Sequence, residues 1–296
     1  MSDTHSTPRS VQNSLHFSLL SAFLKGTVKI PQMPENALRI RSLLRDPHVS
    51  IEHLSRVINS DPPLAAYLMQ FADSPLLKSA RPCRTLNDVL MRLGTNKLNN
   101  LVLTFSARNI FISKELPLQK VFRARWNASL TRAAWCACLS PLIKGLSADD
   151  ALLGGLFQDI GSLPLLAELE NWPQISRENE DLNDLCEQLS AQVGTVLLTT
   201  WKQPAFIVDC ARHRNTMGYI GKIDNVDLTI EQNAPQLFEL VQICEALQNP
   251  LKHQQLAELP LAQQLFDDLD LDGIRQRFKD QVNVWMLLLG VKNRIT

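Results

Sequence analysis

Histidine is scarce in this sequence. The chain has 296 residues and six histidines (His5, His16, His48, His53, His213 and His253), and only His213 falls between residues 60 and 250. Net charge is absent as well: thirty Lys+Arg balance thirty Asp+Glu, which excludes the overall positive excess of a dedicated nucleic-acid binder. Eleven glycines are few for this length, and the composition excludes collagen and disulfide scaffolds. The first fifteen residues are polar and lack an apolar h-region, so the expectation is a cytoplasmic chain whose six cysteines are reduced thiols. Cys136 and Cys138 have no second pair at zinc-site spacing and are expected to pack. The most apolar stretch, Ala151 to Ala167, is interrupted by Gln158, Asp159 and Pro164. It falls short of the roughly 20 apolar residues a membrane span needs and reads as a buried helix and its neighbour.

What remains is helical patterning. Residues 1–13 read as a disordered tail, and Leu15, Leu19 and Phe23 then recur every four residues. Ile30-Pro31-Gln32-Met33-Pro34 is extended, because each proline drives its predecessor out of the α region. Ser50 caps a helix over Ile51 to Ile58, and Asp61-Pro62 pairs an N-cap with a proline in the first turn. Thr85 with Asp88, and Ser147 with Asp150, have capping-box spacing. Further helices are predicted over Val121–Leu139, Asp184–Thr200, Phe206–Arg212, Pro235–Leu247 and Ile274–Leu289, with Met217 to Asn233 as loop. No run alternates as a strand would, so the chain is all-α.

Charge is segregated along the sequence. Between Lys78 and Arg132 eleven basic residues face two acidic ones, a net of +9, and between Asp149 and Glu187 ten acids face one arginine, a net of −9. The two segments either neutralise each other or present charged faces. In the second case Arg81, Arg84, Arg123 and Arg125 are candidates for a partner surface that receives an acidic protein or a small anion.

Several fragments resemble the HDOD domain. They are Ile30-Pro31-Gln32-Met33-Pro34-Glu35, Asn59-Ser60-Asp61-Pro62-Pro63-Leu64, Leu93-Gly94-Thr95, Trp126-Asn127-Ala128, Gly155-Leu156-Phe157-Gln158-Asp159-Ile160-Gly161, and Trp201-Lys202-Gln203-Pro204 leading to Arg212-His213. The resemblance covers about residues 24 to 215. It implies an HD-domain-like multi-helix bundle: an HDOD domain over 14–215, in halves 14–115 and 116–215, with 216–296 as a C-terminal helical extension. HDOD domains are similar to HD and HD-GYP metal-dependent phosphohydrolases but usually lack the full ligand set, and in bacteria they are associated with signal transduction.

The resemblance also permits a test of the ligand set. Divalent metal in an HD phosphohydrolase is held by imidazoles and carboxylates around a His-Asp pair. Here the first histidine position is Ala128, the pair is Gln158-Asp159, a later position is Ser190, and His213 lies near the final one. These are remnant positions, with no catalytic residue, metal or cofactor expected among them. Asp159, inside an apolar helix, needs a partner: an arginine, His213 or helix amides. His48 and His53 are five apart, off a shared helical face. Cys210 beside His213 is a weak nucleophile pair.

The preferred expectation is a non-catalytic HDOD regulatory protein acting through a signalling partner or a small anionic ligand. The alternatives are an HD-type phosphohydrolase on nucleotides or cyclic dinucleotides, and a nucleic-acid-binding regulator.

Overall fold

The computed structural model describes residues 9–72, 83–111, 114–215, 234–266 and 270–291. Every regular element among the described residues is a helix. The helices form two compact units whose residues interleave along the chain. The first takes Met1–Gln32, Phe111–Ser129 and Phe157–Val226, and the second Met33–Ile110, Leu130–Leu156 and Asp227–Thr296. This division cuts across a linear order of 14–115, 116–215 and 216–296, because burial rather than adjacency in sequence decides which helices belong together.

The first unit contains α1 (Arg9–Leu24), the start of α6 (Leu116–Leu139), α8 (Ser162–Glu168), α9 (Asn179–Thr200) and α10 (Ala205–Arg212). α1 already begins at Arg9, inside the stretch 1–13 that the sequence reads as a disordered tail. Its core joins Leu19 and Phe23 to Leu118, Val121, Leu165, Leu169, Leu185 and Leu189. Trp201, from the Trp-Lys-Gln-Pro fragment, donates its Nε1 proton to Pro31 O at 3.0 Å. Two of the family-like fragments therefore fold against each other. Lys202 follows with φ 52°, the turn that separates α9 from α10.

The second unit contains α2 (Glu35–Leu44), α3 (Ile51–Asn59), α4 (Pro62–Met69), α5 (Leu86–Ile110), the rest of α6, α7 (Ala148–Phe157), α11 (Ala234–Gln248), α12 (Pro260–Leu265) and α13 (Leu271–Leu288). The caps at Ser50, Asp61 and Thr85–Asp88 form where the sequence placed them. Ser50 accepts from His53 N–H at 3.1 Å and Asp61 from Leu64 N–H at 3.1 Å. Thr85 and Asp88 close a reciprocal box, at 3.2 Å and 2.8 Å. Ser147 accepts from Asp149 N–H at 3.2 Å. Inside α5, Gly94 takes φ 71° and ψ 172°, a conformation open essentially to glycine alone, and it breaks the helix between two apolar stripes. Residues 237–247 of α11 are buried without exception. A helix buried on every side is a core element, so the C-terminal segment supplies interior to this unit. The predicted loop over Met217 to Asn233 lies outside the described residues.

The apolar stretch Ala148–Asn171 is long and apolar enough by composition to cross a membrane, but 89% of its most apolar window is buried inside the protein.

Candidate functional site

Glycine at 161 is the local condition for the site. A Cβ there would lie 2.0 Å from Ser190 O and 2.4 Å from Gly194 N, so only a hydrogen lets the start of α8 approach α9 this closely. That approach carries Asp159, in the turn before α8, up to the side chains of α9.

Asp159 is held by two arginines. Arg125 of α6 donates from Nη1 to Asp159 Oδ2 at 2.9 Å. Arg214, two residues beyond α10, donates from Nη1 to Asp159 Oδ1 and to Ser190 Oγ. Ser162 Oγ donates to Asp159 Oδ1 at 2.5 Å. Arg125 Nη2 reaches Asn183 O at 3.0 Å and Glu187 Oε1 at 3.2 Å, and Arg214 Nη2 reaches Glu187 Oε2 at 3.0 Å. Two cations and two carboxylates thus form a neutral network. The Arg214 side chain is 2% exposed, Asp159 7% and Arg125 10%, while Glu187 at 49% forms the rim. Burial works against the charge on Arg125, yet Asp159 and Glu187 outweigh it and hold its pKa above the ordinary arginine value. Cys186, also in this environment, is pushed up to about 11 chiefly by burial and stays a thiol.

The residues expected at the site separate. Asp159 and Ser190 come together through Arg214. Ala128 is exposed, and Arg125, three residues earlier on the same helix, makes the contact with Asp159. His213 is the C-terminal cap of α10, with its pKa lowered mainly by burial. Its neighbour Arg214 occupies the central position instead. Gln158 is 1% exposed, and among the described residues neither its amide nitrogen nor its oxygen has a hydrogen-bond partner. An unsatisfied buried amide costs about 1–3 kcal/mol. Gln158→Met, of similar length and without polar atoms, is therefore expected to raise the melting temperature, as read by differential scanning calorimetry.

Of the four arginines expected on a partner surface, Arg125 is instead turned inward, because Asp159 and Glu187 neutralise it there. Arg84 and Arg123 are exposed, in the second and first unit respectively. Arg81 lies outside the described residues. His48 and His53 are exposed, Cys210 is buried, and no group of three or more His, Cys, Asp or Glu suited to a metal occurs among the described residues.

Arg214, Glu187, Asn183 and Ser162 were not singled out by the sequence. Part of the signal was present: Asn183, Glu187 and Ser190 have i, i+4, i+7 spacing and so share one face of α9. Nothing local shows that Arg214 rather than His213 turns inward.

A divalent cation does not fit this donor set. Both Asp159 oxygens already accept charged or hydroxyl donors, the Ser190 hydroxyl receives Arg214, Ala128 carries no donor atom, and two guanidinium charges would repel the ion.

The HDOD domain family model matches residues 30–217. The fold is that of the HD-like helical proteins, and the chain belongs to the HDOD domain family. An uncharacterized protein of Treponema pallidum (strain Nichols) is 20% identical over 221 residues, 70% of this chain, and this chain spans 42% of its length. Among solved structures, a Shewanella amazonensis SB2B protein provisionally named a metal-dependent phosphohydrolase matches with TM-score 0.75 at 20% identity, covering 95% of this chain and 99% of that one. An HDOD domain protein with unknown function from Geobacter sulfurreducens matches at TM-score 0.58 and 18% identity, covering 93% and 98%. A protein of Marinobacter aquaeolei VT8, provisionally named for signal transduction, matches at 0.56 and 18%, covering 95% and 66%. Such identities establish a shared fold.

Proposed function

We propose that this HDOD protein is a non-catalytic signalling module that works through a protein partner or a small ligand and does not hydrolyse phosphate esters. The observation that carries this reading is the seating of the Arg125 and Arg214 guanidinium groups on Asp159. In an HD phosphohydrolase the corresponding carboxylate faces a metal ion that generates hydroxide and clamps phosphate oxygens. A guanidinium can bind a phosphate oxygen, but it has no coordination site at which to ionise water. The positive charge is kept while the Lewis acid is replaced, which suits a structural or recognition role.

Titrating the purified protein with Mn²⁺ by isothermal calorimetry is expected to give no saturable heat below about 1 mM, and bis(p-nitrophenyl) phosphate is expected to be cleaved no faster than in protein-free buffer. Stoichiometric Mn²⁺ binding with turnover would establish the phosphohydrolase in its place. The Shewanella protein's name belongs to that protein, and no donor set for its implied metal survives around Asp159 here.

A further inference from the structure

A cleft of about 380 Å³ opens within the second unit, where the N-terminal ends of α2 and α4 adjoin the last turns of α5. Its volume lies in the range of small-molecule sites, roughly 300–1,000 Å³. Pro34, Pro63 and Phe105 form apolar walls, and Asp61, Ser106 and Asn109 supply the polar groups. The Phe105 ring is backed by Tyr67 at 5.3 Å between centroids, and Tyr67 is set edge-on against Phe71 at 5.2 Å, so the wall is a braced aromatic surface. Ser106 is 3% exposed and lines the cleft. Asp61 uses Oδ1 to cap α4 through Leu64 N–H. No cation pairs with its carboxylate among the described residues.

We infer that this cleft binds a planar heteroaromatic ligand that presents two adjacent N–H donors, the edge of a guanine-type base. The ring stacks on Phe105 between the two prolines. The N–H pair addresses the Asp61 carboxylate, and the ring carbonyl accepts from the Ser106 hydroxyl. Each polar group in the cleft selects against an alternative. A phosphate would meet an uncompensated carboxylate. An apolar peptide side chain would fill the walls but leave the Asp61 carboxylate and the Ser106 hydroxyl of the cleft without a polar partner. An adenine-type edge would bring a ring acceptor against the Asp61 oxygens. The cleft lies in the second unit and shares no residue with the Asp159 network, so this inference goes beyond the proposed signalling role and does not depend on it.

The test is calorimetric titration of the full chain with guanosine and, separately, adenosine. Guanosine is expected to bind saturably with a dissociation constant below about 1 mM, and adenosine at least about tenfold more weakly, as expected when a site built for donors meets an acceptor. Asp61→Asn retains a good N-cap but replaces one acceptor by a donor, and is expected to weaken guanosine about tenfold and erase the discrimination. Ser106→Ala, which leaves the cap untouched, is expected to weaken guanosine severalfold. The inference is overturned if guanosine does not saturate, if the two nucleosides bind equally, or if Ser106→Ala binds guanosine as the unaltered chain does. The nucleoside result is also separate from the Mn²⁺ titration, since either can fail without the other.

Discussion

Arg214→Met is expected to destabilise the protein by about 3 kcal/mol, the lower end of what breaking a buried ion pair costs, read as the shift in a urea unfolding curve. Methionine keeps the apolar stem of Arg214 but removes the charge from Asp159 and the donor from Ser190. The effect lies at the low end because Arg125 and Ser162 still serve the same carboxylate. The contacts to Glu187 add little, since that side chain is half in solvent and exposed pairs contribute at most about 1 kcal/mol. Adding Asp159→Asn to Arg214→Met is expected to recover part of the loss, because the penalty comes from the carboxylate left under-compensated. An unchanged unfolding midpoint for Arg214→Met would show that the network holds nothing together.

Gly161→Ala is expected to cost about 3 kcal/mol or more. The added carbon meets backbone atoms of α9, Ser190 O and Gly194 N, which cannot turn aside as a side chain does, and overpacking of a fixed core costs roughly 1–3 kcal/mol and sometimes more. Gly94→Ala provides the contrast. A Cβ at Gly94 has nothing within 4 Å, and its cost is the strain of φ 71° alone, about 1–3 kcal/mol. Thermal unfolding of both variants separates the two causes: ligand-free near-ultraviolet circular dichroism should report a disturbed α8–α9 contact in Gly161→Ala and an intact one in Gly94→Ala. Equal, small losses in both would remove Gly161 as the device that seats Asp159 against α9.

Much of the helical framework was legible because its signals are local. Ser50, Asp61 and the Thr85–Asp88 box terminate helices through bonds to residues three positions away, and those bonds form. The need of Asp159 for a cationic partner was legible too, since a buried carboxylate imposes it whatever the fold. Which arginine would answer was not. Arg125 looked like a surface residue because a count of charges along the chain is blind to the side of α6 on which each lies. Arg214 was hidden behind His213, because a helix that ends at Arg212 can turn either neighbour inward. The role of α11 was equally illegible: an apolar helix far down the sequence reads as an appendage until its neighbours are known.

The sequence by itself determined that the chain is helical, where most helices begin, and that glutamine rather than histidine precedes Asp159, because caps, periodicity and donor atoms are properties of short stretches. Only the tertiary structure decided that two guanidinium groups seat on Asp159, that Gly161 lets the start of α8 reach α9, and that α11 is interior. Those outcomes depend on which faces meet across more than fifty residues of intervening chain, as Asp159 and Arg214 do, and sequence patterns carry no distance of that kind.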